Sequence, residues 1–267
     1  MELFRNKKRL IITILSLVLV AVAAIGGSLA FFTDSDTVTN TFTMGNVEIS
    51  LSEPGWDDDA GLGLLPGNVR TKDPTVTALE GKSYVRIRME IVNGADELIT
   101  DTDRIDLILN TLYYDTAYNT AQPNIQVTQK YGTADLATLI TQNKIIGEYN
   151  KTDFEFAGIE TGKSAVRYYN YTANSGIFDG TKTPADSAVL FSNVVIPKNW
   201  NNREIFDLNG DTYEVTSNGS LEVTVAGNGY KIILTSEAIQ SSDMATAAEA
   251  FEALDSATGI TRDTSGI

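Results

Sequence analysis

Period-two alternation of apolar and polar residues constrains this chain more than any other feature. Ser83–Val92 (SYVRIRMEIV) sets Val85, Ile87, Met89 and Ile91 against Arg86, Arg88 and Glu90. Gly45–Ser52 (GNVEISLS) sets Val47, Ile49 and Leu51 against Glu48 and Ser50. Successive side chains of a strand point to opposite faces, so this spacing marks strands with one face in a core. Leu221–Ala226 and Tyr230–Thr235 repeat the pattern around Gly227-Asn228-Gly229, which predicts a hairpin. Ala188–Ile196 (AVLFSNVVI) is more continuously apolar and stops at Pro197, which predicts one interior strand. The set predicts an all-β sandwich of antiparallel sheets.

Three stretches break the period. Asp103–Asp115 (DRIDLILNTLYYD) carries Ile105, Ile108, Leu109 and Leu112 at helical spacing behind caps at Asp101 or Thr102, and Ala134–Asn143 offers a shorter helix through Leu136, Leu139 and Ile140. They predict a helical excursion over about residues 95–145. Asp243–Leu254 (DMATAAEAFEAL) is rich in helix formers, with Ser242 or Asp243 as its cap. Residues 255–267 are small and polar and are expected to fray.

The N-terminus sets the compartment. Met1–Arg9 holds four basic residues and one acidic residue, Leu10–Ile25 is apolar except for Thr13 and Ser16, and Gly26-Gly27-Ser28-Leu29-Ala30 follows. A basic flank, an apolar run and small residues at alternate positions (Ser28-x-Ala30) make a cleavable secretory signal over residues 1–30, cut between Ala30 and Phe31. The run is also long enough to span a bilayer as an uncut anchor. Either way the rest of the chain lies outside, secreted or at the cell surface, with membrane contact only through an uncleaved leader. Residues 31–267 keep 16 basic residues of 20 and 34 acidic residues of 35, a net charge of −18. A surface that acidic argues against nucleic acid as a partner.

The chain has no cysteine and no histidine. Its core alone must hold it, and nucleophilic catalysis through histidine and His-ligated zinc are both out of reach. The expectation is a non-enzyme without a cofactor. Ala157–Ser164 (AGIETGKS) resembles a phosphate loop, but strand-like segments flank it where such a loop must open a helix; a turn between strands explains it. Asp207–Glu214 (DLNGDTYE) lacks the glycine and glutamate of a calcium loop, and Asn209-Gly210 predicts a hairpin turn. Asp57, Asp58 and Asp59 follow Trp56 in a Gly-rich stretch and are weak calcium candidates. Trp56 and Trp200 mark loops able to bind a ligand, and Arg167 among Tyr168, Tyr169 and Tyr171 reads as cross-strand packing.

The leader ending GGSLA with the following FFTDSDTVTNTFTMGNVEISL resembles the export signal and first strand of the TasA/camelysin family, secreted biofilm-matrix fibre proteins of Gram-positive bacteria processed by a SipW-type signal peptidase. KDPTVTALEGKSYVRIRMEI (Lys72–Ile91), LFSNVVIP (Leu190–Pro197) and Tyr230–Leu254 resemble that family too, while Asn93–Lys163 matches nothing in it. The resemblance implies a jelly-roll domain over residues 44–267. It also implies a structural subunit whose segment 31–43, freed by cleavage, adds as a donor strand to the next subunit, a homopolymer or a fibre with a related subunit. Phe31, Phe32, Val38 and Phe42 would anchor such a strand. An intramolecular first strand is the alternative, as is a monomeric surface module binding carbohydrate or protein, or an accessory subunit of another fibre. The peptidase activity described for the camelysin branch is not carried over, since no HExxH stands here.

Overall fold

The computed structural model describes residues 33–37, 47–56, 66–118, 135–215, 221–225 and 229–265. The alternating segments form strands, and their apolar positions face one core. A large antiparallel sheet runs in the order β1 (Thr33–Thr37), β15 (Tyr230–Gln240), β5 (Lys82–Asn93), β9 (Lys163–Tyr171), β8 (Phe154–Glu160) and β16 (Arg262–Asp263), with β10 (Phe178–Asp179) on the end of β5. Two smaller sheets face it. One holds β11 (Ser187–Val189), β4 (Thr75–Glu80) and β2 (Glu48–Ser52). The other holds β3 (Val69–Thr71), β12 (Asn193–Val195), β6 (Leu112–Asp115) and β7 (Ile145–Gly147). Val47, Ile49 and Leu51 meet Val85, Ile87, Met89 and Ile91 between the layers, as the period-two spacing predicts. The protein is an all-β antiparallel sandwich.

Several elements differ from the sequence-based expectation, each for a local reason. Ala188–Ile196 is two strands rather than one: β11 pairs β4, while β12 lies between β3 and β6. Between them Leu190 donates its N–H to Pro74 and Ser192 to Tyr113, which carries the chain from one small sheet to the other. Among the described residues the predicted hairpin partners do not pair. β14 (Leu221–Val225) pairs β13 (Thr212–Val215) instead, and β15 runs along the whole of β5. Asn209-Gly210 ends a helix, α3 (Asn202–Asn209), rather than making a hairpin turn. Gly210 packs against the Arg104 guanidinium and has φ +74, a left-handed conformation that strains any residue with a side chain.

The helical excursion holds α1 (Thr102–Leu109), capped by the Asp101 carboxylate, and α2 (Leu136–Thr141), capped by Asp135. The Thr111 hydroxyl bonds back to the Ile108 carbonyl, and Leu112 leaves the helical path to pair with β12. The C-terminal helix α4 (Ala247–Thr258) starts at Thr246, three or four residues later than expected, because the Thr246 hydroxyl accepts the Glu249 N–H. The residues beyond it do not fray where they are described. Gly259 ends α4 in the left-handed region, and β16 then pairs with β8. The backbone of Asp263 lies so close to Gly158 that a Cβ there would sit 2.7 Å from its carbonyl oxygen. The turn at Thr161-Gly162 joins β8 to β9 as read from AGIETGKS.

Candidate functional site

The N-terminal strand occupies an edge. β15 is hydrogen-bonded to β5 from Tyr230 to Gln240 on one side, and to β1 from Thr235 to Ile239 on the other. In register, Thr33 faces Ile239, Ser35 faces Glu237 and Thr37 faces Thr235. The sequence of β1 is TDSDT, with no apolar residue, and main-chain hydrogen-bond pairing with β15 runs along its whole length. Such bonds are indifferent to sequence and to which molecule donates the strand. Here β1 pairs within its own chain, the intramolecular alternative to donation. The anchors Phe31, Phe32, Val38 and Phe42 and the cut between Ala30 and Phe31 lie outside the described residues.

Behind this edge sits a charge that period-two reading would place in water. Arg86 points to the outer face of β5, yet it is fully buried because α4 covers that face. Its Nε donates to Glu237 of β15 at 2.6 Å and its Nη1 to Asp255 of α4 at 2.7 Å. The guanidinium lies over the rings of Tyr168 and Phe251. Arg262 binds the other Asp255 oxygen at 2.6 Å and the Ala157 carbonyl. A buried charge is tolerable only when paired in this way. Nearby, burial alone would raise the Glu160 carboxyl, but hydrogen bonds from Lys163 and Tyr168 and the charges of Lys163 and Arg88 bring it below the ordinary value. Burial pushes the Tyr168 phenol up to about 12.

Of the ligand-loop candidates, Trp56 is a packing residue: the Lys72 ammonium sits 4.5 Å from its ring centre while binding Glu53 at 2.8 Å. Beside it the buried Asp73 carboxylate accepts from the Gly55 N–H and the Tyr118 hydroxyl, and burial raises its pKa despite those bonds. Asp57, Asp58 and Asp59 lie outside the described residues.

Trp200 is placed differently. It lines a pocket of about 520 Å³. Val69, Tyr113, Leu136, Val195 and Trp200 form its buried or half-buried floor, and the exposed Asn110, Asp135, Lys198 and Asn199 form its rim. Ile140, 43 % exposed, lies at its edge. Nothing in the spacing of these residues reveals the pocket, since they come from four separate segments; Trp200, one of two tryptophans, is the one usable signal.

Residues 5–58 match the family model described as camelysin metallo-endopeptidase, in agreement with the resemblance of the leader and first strands. The matched stretch contains β1 and β2. No curated protein matches the chain. A metallo-endopeptidase needs a metal-binding donor set, and the described residues do not supply one. The chain has neither histidine nor cysteine, and among the described residues no three His, Cys, Asp or Glu side chains cluster. Glu53, one of the acids of the matched stretch, is held by Lys72.

Proposed function

We propose that this protein is an exported structural subunit of an extracellular fibre or matrix, assembled head to tail by passing β1 from one copy to the β15 edge of the next. The observation that carries this reading is the pairing of β1: a polar five-residue strand at the end of a sheet, hydrogen-bonded to β15. Exchange of an identical edge strand replaces every hydrogen bond with its equal, so the self-paired form and the polymer differ little in contact energy. Because each copy donates at one place and accepts at another, the contact propagates instead of closing. The match of residues 5–58 to the camelysin model supports the family-level part of the reading, and the leader supports export through a signal peptidase that cuts after Ala30.

Electron microscopy of residues 31–267, compared with a chain that lacks residues 31–43, tests this. Fibres from the first and dispersed particles from the second are expected. Equal assembly by both chains, or by neither, would overturn strand exchange.

A further inference from the structure

Main-chain pairing does not decide which face of β1 turns toward the core. In the register with β15, Asp34 and Asp36 take the positions beside Ala238 and Ser236, on the core side of the sheet. Thr33, Ser35 and Thr37 take the positions beside Ile239, Glu237 and Thr235, on the outer side. Ala238 belongs to the main core, and Ser236 is fully buried. Polarity alone would choose the opposite facing, with the hydroxyl residues inward and the carboxylates toward water. A slip of one residue would produce it, because such a slip moves every residue of a strand to the other face.

The obstacle to that slip lies on the outer side. Ser35, Glu237 and Arg86 form one row across three strands. The half-buried Glu237 carboxylate is held at its place in the row, since its Oε2 accepts from the buried Arg86 Nε at 2.6 Å. Arg86 is held in turn by Asp255, and Asp255 by Arg262. With strands roughly 5 Å apart, a residue opposite Glu237 is one strand spacing from that carboxylate and about 10 Å from Arg86. Arg86 is also shared with Asp255. The nearest charge such a residue meets is therefore a fixed negative one. A slip of one residue in either direction brings Asp34 or Asp36 to this position, and like charges directly opposite each other destabilise a strand pair.

We infer that Glu237 determines which facing of β1 the β15 edge accepts, by excluding an acidic residue from the position opposite it. The alternation Thr-Asp-Ser-Asp-Thr satisfies this rule in one of its two facings only. The rule describes β1 in its own chain. Carried over to a strand donated by a second copy, it rests on the exchange reading, and there it supplies a selectivity for sequence that main-chain hydrogen bonds lack.

The test adds one negative charge at either of two places on the same face of the processed chain, residues 31–267. Ser35→Asp puts it opposite Glu237, and Thr37→Asp puts it opposite Thr235. Amide hydrogen exchange at residues 33–37 reads the opening of β1. Ser35→Asp should lower protection there about threefold or more beyond the loss in Thr37→Asp. In a Glu237→Gln background, where the side chain keeps its shape and an oxygen for Arg86, the difference should vanish. It should also shrink in 1 M salt, as a steric effect would not. Equal losses from the two substitutions, or a difference that survives Glu237→Gln, would overturn the inference. The measurement does not need fibres. A rule obeyed by a chain that never assembles would overturn strand exchange and leave Glu237 standing, whereas fibres from chains in which the two substitutions act alike would overturn the role of Glu237 alone.

Discussion

The two ends of the chain extend the same sheet at opposite edges, yet they are held by different physics. At the C-terminal end, β16 is short, but α4 lays Phe251 and Ala250 against Tyr84 and Ile239, and Asp255 is clamped between Arg86 and Arg262. Those contacts depend on particular side chains and cannot be supplied by another segment. At the N-terminal end, β1 is longer but polar, and its register with β15 is the contact that defines it. One end is held by specific side-chain contacts; the other is paired along β15 through its backbone, the kind of contact the proposed exchange requires. Both meet at β15, where Glu237 holds Arg86 and faces Ser35 in register.

The comparison breaks most readily at Asp255. Asp255→Ala leaves the fully buried Arg86 with one partner fewer, and removing one member of a buried ion pair is expected to destabilise the fold by about 3–5 kcal/mol. Urea unfolding of the two chains measures it. A loss under about 1 kcal/mol would mean that the clamp is not what holds the C-terminal end. Removing residues 31–43 should matter less, under about 2 kcal/mol in the monomer, because each main-chain hydrogen bond nets roughly 0.5–1.5 kcal/mol against roughly 1–2 kcal/mol of ordering entropy per residue. A larger loss would make β1 an obligate part of its own subunit.

The smallest expected effect is a pH dependence at the C-terminal edge. Glu160 has a folded pKa below its ordinary value, so the folded state favours its charged form. That contribution is complete above the ordinary carboxyl pKa of about 4.3 and is lost as pH falls through the lower folded value. Glu160→Gln should therefore flatten the decline of stability between pH 6 and pH 3, read by urea titration at both ends. An unchanged slope would show that Glu160 is not one of the groups responsible.

What the sequence made legible follows from the same contrast. Strands with one wet face announce themselves, and β2, β5 and the inward residues of β15 were readable from spacing alone. Arg86 was not, because its burial depends on a helix more than 160 residues away in sequence. The breaks at Leu190–Ser192 and Asn209-Gly210 were missed for a related reason: main-chain bonds to Pro74 and Tyr113 and the packing of Arg104 decide them, and local composition is silent about partners that distant. Likewise the pocket gathers residues from β3, from α1 and β6, from α2, and from the end of β12 and the segment after it. The edge position of β1 follows from topology, while its chemistry, polar and rich in threonine, was visible from the start.

Disulfide trapping of the β1–β15 register tests the central claim most directly. The chain has no cysteine, and Thr37 and Thr235 are direct cross-strand partners, a spacing a disulfide can bridge. Chains carrying Thr37→Cys alone and Thr235→Cys alone are mixed, allowed to assemble and oxidised. Exchange of β1 predicts a covalent heterodimer that forms with assembly and still forms when the Thr235→Cys partner, which only accepts the strand, lacks residues 31–43. Fibres that yield no such heterodimer, while a chain carrying both substitutions closes its disulfide within itself, would contradict it.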